Sequence, residues 1–234
     1  MSLYAIGDLH LSLSPEVDKP MEIYGPLWHD HVNRLNDYWV DMISDDDTVV
    51  LPGDISWGLK LTEALPDLEW VDNLPGKKVI FKGNHDLWWN GITKLNQMFD
   101  TITFVQNTSY YCEGIYLCGS RGWLTPDNDD FAEDDEKVYK RELLRLKSSL
   151  DDAVCRRQEQ PGEIIGVLHY PPVCQFSSFS GFQQLFMDYD VKEVIYGHVH
   201  GEEGFVNTIK GEYYGTDYKL VSLDYLRCKP LQLR

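Results

Sequence analysis

Five short apolar runs in this 234-residue chain each lead directly into glycine, aspartate, asparagine or histidine. The polar segments are, in chain order, Gly7 to His10, Gly53 to Asp54, Gly83 to Asp86, His169 to Pro172, and Gly197 to His200. Short apolar runs bounded by such residues predict buried strands, and ligands bind at the carboxyl ends of strands in α/β sheets. The pattern therefore predicts one sheet rim that carries two aspartates, one asparagine and five histidines, besides Asp86 at the end of the third segment.

Strand-like and helix-like segments alternate along most of the chain, which predicts an α/β protein with a largely parallel or mixed sheet. Strands are expected at Leu3–Ile6, Thr48–Leu51, Lys78–Phe81, Thr101–Val105, Ile115–Cys118, Ile164–Leu168, Val194–Tyr196 and Leu220–Leu223. Helices are expected near Val32–Ile43, Leu61–Val71, Ile92–Phe99 and Phe182–Asp188. The strand-rich segment after Gly201 predicts an antiparallel part as well.

The chain length predicts a single domain over residues 1–234, because we find neither an internal repeat nor a flexible linker. One acidic, turn-rich segment, Thr125 to Glu136, stands apart in composition, and a helix is expected after it from about Lys137 to Arg157. We interpret residues 125–157 as an acidic loop plus helix, inserted in the domain or serving as a lid.

Composition excludes some classes of function. A formal net charge of −17 argues against a large nucleic-acid-binding face, which needs a basic stripe. No apolar run approaches the roughly 18 residues of a membrane span, and no secretory signal is visible. The five cysteines are odd in number and form no C-x-x-C pair, which favours reduced thiols and a cytoplasmic location.

The side chains of the predicted rim suit transition metals. Imidazole and carboxylate groups together favour zinc, iron or manganese, whereas calcium and magnesium prefer oxygen ligands alone. Two such ions about 4 Å apart can produce a nucleophilic hydroxide and hold phosphate oxygens during in-line displacement. We therefore expect two divalent or trivalent metal ions, with manganese, iron and zinc left open.

The order of the motifs resembles the calcineurin-like metallophosphoesterase superfamily. That family carries D-x-H, then G-D, then G-N-H-D, then a histidine at a strand end, then G-H-x-H. The matching residues here run from Asp8 to His200. The resemblance implies a sandwich of two mixed β-sheets flanked by helices.

The resemblance also implies a role for each motif residue. The first ion would be held by Asp8, His10 and His200, the second by Asn84, His169 and His198, and both by Asp54 as a bridge. His85 would stabilise developing charge and protonate the leaving oxygen, while a metal-bridging hydroxide attacks phosphorus from the opposite side. Asp86 is a candidate partner that orients His85, and a turn-capping role is the alternative.

The chain departs from the phosphoprotein phosphatase branch of this family. That branch has the pattern G-D-x-x-D-R-G at the second motif. Residues Gly53 to Gly58 lack both the second aspartate and the arginine of that pattern. The third motif ends in Asp86, where that branch has glutamate. The pattern is nearer the phosphodiesterase-like and uncharacterised bacterial branches.

Substrate contacts are expected beside the motifs. Arg121 lies between glycines after a predicted strand and is a candidate phosphate ligand, with a surface ion pair as the alternative. Trp123, like Trp57, Trp88 and Trp89, is a candidate for stacking on the substrate, with packing in the core as the alternative. The polar and aromatic segment Gln175 to Ser180 is a further candidate for the substrate rim.

We therefore predict a hydrolase that cleaves a phosphate ester or anhydride of a small molecule, as a phosphatase or a phosphodiesterase. The alternatives are a catalytically silent scaffold with the same fold, and a nuclease. A scaffold is disfavoured because every expected ligand position is filled, and a nuclease is disfavoured by the acidic composition.

Overall fold

Eleven strands form two mixed sheets in a computed structural model that describes residues 1–174 and 179–234. The strands are β1 (Leu3–Ala5), β2 (Thr48–Leu51), β3 (Lys77–Phe81), β4 (Ile102–Val105), β5 (Ser109–Cys112), β6 (Ile115–Ser120), β7 (Glu163–Leu168), β8 (Glu193–Tyr196), β9 (Gly211–Tyr213), β10 (Thr216–Leu220) and β11 (Leu231–Gln232). The α-helices are α1 (His31–Met42), α2 (Leu61–Asn73), α3 (Ile92–Leu95), α4 (Glu133–Arg156), α5 (Gly181–Asp188) and α6 (Gly201–Asn207). Mixed sheets flanked by helices confirm the predicted α/β class.

The first sheet belongs to a unit formed by Met1–Phe104 and Val221–Arg234. Its strand order is β11-β1-β2-β3-β4, and β1, β2 and β3 are mutually parallel neighbours. The carboxyl ends of these three strands therefore lie at one edge of the sheet, where the first three motifs follow them. Apolar residues of α1 and α2, such as Trp39 and Leu68, form a fully buried core with strand residues such as Leu51.

The second sheet belongs to a unit formed by Val105–Leu220. Its strand order is β5-β6-β7-β8-β10-β9, with four parallel strands from β6 to β10 and antiparallel strands at both edges. The carboxyl ends of β6, β7 and β8 therefore share one edge, which carries Arg121, His169 and His198. The core of this unit includes Leu146 of α4 and Phe186 of α5.

Several predicted boundaries were wrong. The strand expected at Leu220–Leu223 lies earlier and ends at Leu220, because the chain pairs with β8 over Asp217–Leu220. The helix expected over Ile92–Phe99 ends at Leu95. A helix after His200 and an edge strand at β5 were not expected, because short elements with little apolar periodicity give a weak sequence signal.

The acidic segment leads into α4, which begins at Glu133, before the predicted Lys137. The Asp135 carboxylate accepts the Ala132 backbone N–H at 2.9 Å and so satisfies one donor at the start of the helix. The helix buries Leu146, Leu150 and Ala153 in the core of its unit. The single domain and the insertion at 125–157 stay predictions.

Part of the expected substrate rim, Gln175 to Ser180, lies outside the described residues, namely positions 175–178. None of the five cysteines, all of which lie in the described ranges, forms a disulfide. In the two described ranges, no helix has both the length and the apolar character needed to cross a membrane.

Candidate metal centre

Three motif residues of the first unit have strained backbones. Asp8, His10 and Asp54 have positive φ angles of 58°, 46° and 54°, a region that few residues other than glycine adopt. The strain is held by bonds between the loops: Asp8 N–H donates to the Gly53 carbonyl, and His10 N–H to the Asp54 carbonyl, both at 3.0 Å. Strain maintained in this way is typical of functional sites, where it directs side chains to one point.

Glycines allow the loops after β2 and β3 to touch. A methyl group at Gly83 would lie 2.1 Å from Asp54 Oδ1 and 2.3 Å from the Asp54 nitrogen. A methyl group at Gly53, where φ is 101°, would lie 2.4 Å from the Gly83 nitrogen. Only glycine permits this approach, which brings Asp54 Oδ1 to 2.8 Å from the His85 nitrogen, where it accepts the backbone N–H.

The Asp86 side chain forms hydrogen bonds to both of these loops. Its fully buried carboxylate accepts three backbone N–H groups, from Asp54 (2.9 Å), Ile55 (2.9 Å) and Gly83 (2.8 Å). These bonds position the second and third motifs relative to each other. The catalytic role that the sequence assigned to Asp86 stays a prediction, and the observed bonds support a positioning role.

Aromatic rings pack against the motif histidines of this unit. The Trp57 ring stacks on His10 with centroids 4.7 Å apart and lies 4.3 Å from the His85 ring. His10 Nε2 lies 3.9 Å from Asp54 Oδ2. One of the expected stacking tryptophans therefore orients histidines, whereas Trp88 and Trp89 are both buried in the core.

Asp67 is a buried polar residue that sequence reasoning missed. It lies in α2, is fully buried, and accepts hydrogen bonds from the Ser56 hydroxyl and from the Leu13 N–H. Burial raises the pKa of this carboxyl, and the two hydrogen bonds oppose that effect. The only available signal was an acidic residue on the apolar side of a helix that also contains Pro66.

In the second unit, two histidine rings converge. His169 Nε2 and His198 Nδ1 are 3.2 Å apart, and the Tyr170 ring packs 3.9 Å from the His198 ring. His169 is fully buried, and His198 has a φ of 70°. His200 follows at the start of α6 and is half-buried. Two ring nitrogens at this separation form the type of pair that a single transition metal binds.

The loop after β6 supports the His169 loop. The Arg121 carbonyl accepts the backbone N–H groups of His169 (3.1 Å) and Tyr170 (3.0 Å). The Arg121 guanidinium lies 4.3 Å from the centre of the Trp123 ring, and that ring lies 5.1 Å from the Tyr170 ring. Trp123 Nε1 donates to Asp135 of α4 at 2.9 Å.

The donor chemistry of both units fits metal ions. In the first unit, Asp8 and His10 are buried and offer ligand atoms within 4.8 Å of each other. In the second unit, the histidine pair offers two nitrogens. Buried carboxylates and imidazoles aimed at a common point are the usual ligands of zinc, iron or manganese.

Comparison with known proteins agrees with this chemistry. The family model described as calcineurin-like phosphoesterase matches residues 1–202. The chain belongs to the calcineurin-like phosphoesterase family. The resemblance inferred from the motifs is thereby confirmed, as is the prediction of a hydrolase that acts on ester bonds. The metal-binding chemistry of the buried aspartates and histidines fits that family.

Individual relatives are distant from this phosphoesterase. Gene 66 protein of Mycobacterium phage D29 is 33% identical over 85 residues, which is 36% of this chain and 40% of that protein. The match thus spans less than half of the relative's length.

Two solved structures share the fold. Phosphopantetheinyl hydrolase (PptH) of Mycobacterium tuberculosis has a TM-score of 0.53 at 17% identity, with 99% of this chain and 95% of that chain covered. The protein TT1561 of Thermus thermophilus has a TM-score of 0.52 at 11% identity, with 85% and 81% covered. At these identities the likeness shows the fold alone.

Proposed function

We propose that this phosphoesterase uses two metal ions to hydrolyse a small phosphorylated ester or anhydride. The observation that carries the proposal is the 3.2 Å pair of His169 and His198 ring nitrogens. The positive φ angles of the buried Asp8 and Asp54 support the proposal. Strained backbone of this kind costs free energy and is found mainly at functional sites.

The ligand assignment follows the motif order. We assign Asp8, His10 and His200 to the first ion, Asn84, His169 and His198 to the second, and Asp54 to both. Bound ions would supply Lewis-acid activation of water and neutralisation of the phosphate charge. Manganese, iron and zinc all suit these ligands.

We assign His85 the role of general acid, which donates a proton to the leaving oxygen. Its backbone N–H is fixed by Asp54 Oδ1, and its ring is held against Trp57, so the imidazole has one supported orientation. An imidazole placed in this way can stabilise developing charge and donate a proton. Asp86 acts through the backbone, by positioning the loops that carry Asp54 and His85.

Substrate contacts are assigned to Arg121 and Trp123. The two side chains stack on each other, and Trp123 also packs near Tyr170, beside the histidine pair. A guanidinium recognises phosphate, and an aromatic ring suits a planar leaving group. Five cysteines without a disulfide favour a reducing, cytoplasmic location for the reaction.

The test is hydrolysis of p-nitrophenyl phosphate and bis-p-nitrophenyl phosphate by metal-stripped protein refilled with manganese. We expect metal-dependent turnover, and we expect His85→Ala to lower kcat by about 10²–10⁴-fold, the usual contribution of general acid catalysis. The preferred reporter distinguishes a phosphatase from a phosphodiesterase.

The matched control is His29→Ala, because His29 is exposed and lies outside the motifs. This variant should keep wild-type turnover. Two bound metals per chain with no turnover of either reporter, followed by none across a panel of phosphorylated metabolites, would favour the scaffold. Release of nucleotides from single-stranded DNA would favour the nuclease.

A further inference from the structure

Three arginines converge on one buried carboxylate oxygen in the second unit. Arg145 Nη1, Arg141 Nε and Arg121 Nη2 lie 3.3, 3.4 and 3.6 Å from Oε1 of Glu142. The Glu142 side chain is fully buried, whereas those of Arg121, Arg141 and Arg145 are 15%, 53% and 32% exposed. Two of the guanidinium groups are therefore accessible from solvent while they share a buried anchor.

The cluster carries more positive charge than its anchor neutralises. In the described ranges, each of the three guanidinium groups pairs with Glu142 and with no other carboxylate. Three cations against one anion leave two positive charges unmatched, in a chain whose net charge is −17. Glu142 contacts the arginines through Oε1 alone, and its Oε2 is buried without a hydrogen-bond partner in the described ranges, so the carboxylate neutralises only one of the three cations.

Hydrogen-bonding capacity also remains. The three contacts of 3.3–3.6 Å are long for charge-assisted hydrogen bonds, which are typically about 2.7–2.9 Å. Arg121 Nε is buried and has no hydrogen-bond partner among the described residues. Burial lowers the pKa of Arg121, Glu142 opposes that shift, and Arg141 and Arg145 add to it by repulsion. A bound anion would relieve this repulsion and accept N–H groups of the more exposed Arg141 and Arg145.

The cluster is connected to the proposed metal ligands of its own unit. Arg121 stacks on Trp123, Trp123 packs near Tyr170, and Tyr170 packs on the His198 ring. The Arg121 carbonyl also holds the backbone of the His169 loop. An anion bound by the arginines would therefore lie on the same side of the unit as the histidine pair, separated from it by two aromatic rings.

The geometry points to a second phosphate-binding site formed by Arg121, Arg141 and Arg145. If the protein has the proposed function, this site would select substrates that carry a second phosphate in addition to the one that is cleaved. Planar guanidinium groups hold phosphate through paired N–H donors, and a partly exposed cluster admits such a group without burying a new charge. The helix α4 then contributes to substrate choice as well as to the core.

The first test does not depend on catalysis. The full chain is treated with phenylglyoxal, which modifies accessible guanidinium groups, with and without millimolar inorganic phosphate, and the modified peptides are quantified by mass spectrometry. We expect phosphate to slow modification of Arg141 and Arg145 at least fivefold. Arg156 is the matched control, because it lies on the same helix, is 40% exposed and has its own carboxylate partner, Asp152. Its modification rate should not change.

The second test links the site to the substrate. The reporters are thymidine 5′-(p-nitrophenyl phosphate) and the same compound with an added 3′-phosphate. We expect the wild type to show a KM at least tenfold lower for the doubly phosphorylated reporter, and Arg141→Gln with Arg145→Gln to remove that preference. Arg156→Gln should retain it.

Equal rates of modification with and without phosphate would overturn the anion site, whatever the activity. Protection without a KM preference would overturn its role in substrate selection and leave a phosphate site of another purpose. Absence of turnover with intact protection would count against the proposed function and not against the cluster.

Discussion

At the scale of single residues, the metal centre depends on backbone conformations that most side chains avoid. Asp8, His10 and Asp54 each hold a left-handed φ, at a cost of about 1–3 kcal/mol per residue. Bonds from Asp86 and between the loops offset this cost. The loops therefore respond more sharply to changes in their supporting residues than an ordinary surface loop would.

Gly83→Ala tests this dependence. The added methyl group would collide with both the Asp54 nitrogen and its Oδ1, and the first of these belongs to the backbone and cannot rotate away. We expect a loss of about 1–3 kcal/mol in the free energy of unfolding and at least tenfold weaker manganese binding, measured by urea unfolding and calorimetry.

The control for that substitution is Gly91→Ala. A methyl group at Gly91 meets nothing within 4 Å, and its φ of −59° suits alanine. Metal affinity unchanged in Gly83→Ala would show that the contact between the two loops does not position Asp54.

At the scale of secondary structure, a buried lysine from the next strand caps the C-terminal end of α2. Lys78 of β3 is fully buried and donates from Nζ to the carbonyls of Asp72, Leu74 and Gly76. The last carbonyls of a helix have no partner within the helix and must find one elsewhere. Lys78 supplies three donors at once.

Lys78→Met should therefore lower the free energy of unfolding by about 2–3 kcal/mol, because buried carbonyls lose their donor. Lys77→Met is the control, since Lys77 is exposed on the same strand. Equal stability of both variants in urea unfolding would show that the carbonyls find other partners.

The same lysine predicts a pH dependence. Burial lowers the pKa of Lys78 from 10.5 to about 8, against the opposing effect of Asp72 and Asp45. Between pH 8 and 10.5 the unfolded chain binds a proton that the folded chain does not, so the stability contributed by this residue rises with pH. The stability difference between wild type and Lys78→Met should therefore widen from about pH 8 to 10.5. A constant difference would mean that Lys78 keeps its ordinary pKa.

At the scale of the whole molecule, metal binding should stabilise the fold. Ligands assembled only in the native chain make binding free energy part of folding free energy. At a free manganese concentration about 100 times Kd, the gain is about 2.7 kcal/mol per site, which for a chain of this size raises Tm by about 5–10 °C. Differential scanning calorimetry with manganese and with a chelator measures the shift.

His169→Asn is the informative variant for this shift, because His169 is half of the 3.2 Å histidine pair. It should lose much of the metal-dependent increase in Tm, and His29→Ala should keep all of it. A Tm that does not respond to manganese or to chelator in the wild type would contradict a metal centre formed by these residues.

The sequence by itself determined the chemistry of this phosphoesterase. Glycine followed by aspartate, asparagine or histidine after an apolar run is a local signal, so the family, the α/β class and the candidate ligands could be read from short stretches of chain. Parallel strands then bring such stretches to one edge of each sheet, as β1 to β3 and β6 to β8 do.

Only the tertiary structure decided which polar residues are buried and what they hold. Asp86 accepts a backbone N–H from a residue 32 positions away. Lys78 donates to carbonyls at the end of the preceding helix. Glu142 pairs with Arg121, which follows a strand, and with two arginines of its own helix. On the sequence alone, the basic run that includes Arg141 and Arg145 predicts a solvated helix face, with a lid that presents cations to a phosphate as the alternative. Burial depends on which faces pack together, a long-range property, and so the arginine cluster appeared only once the helix was placed against its sheet.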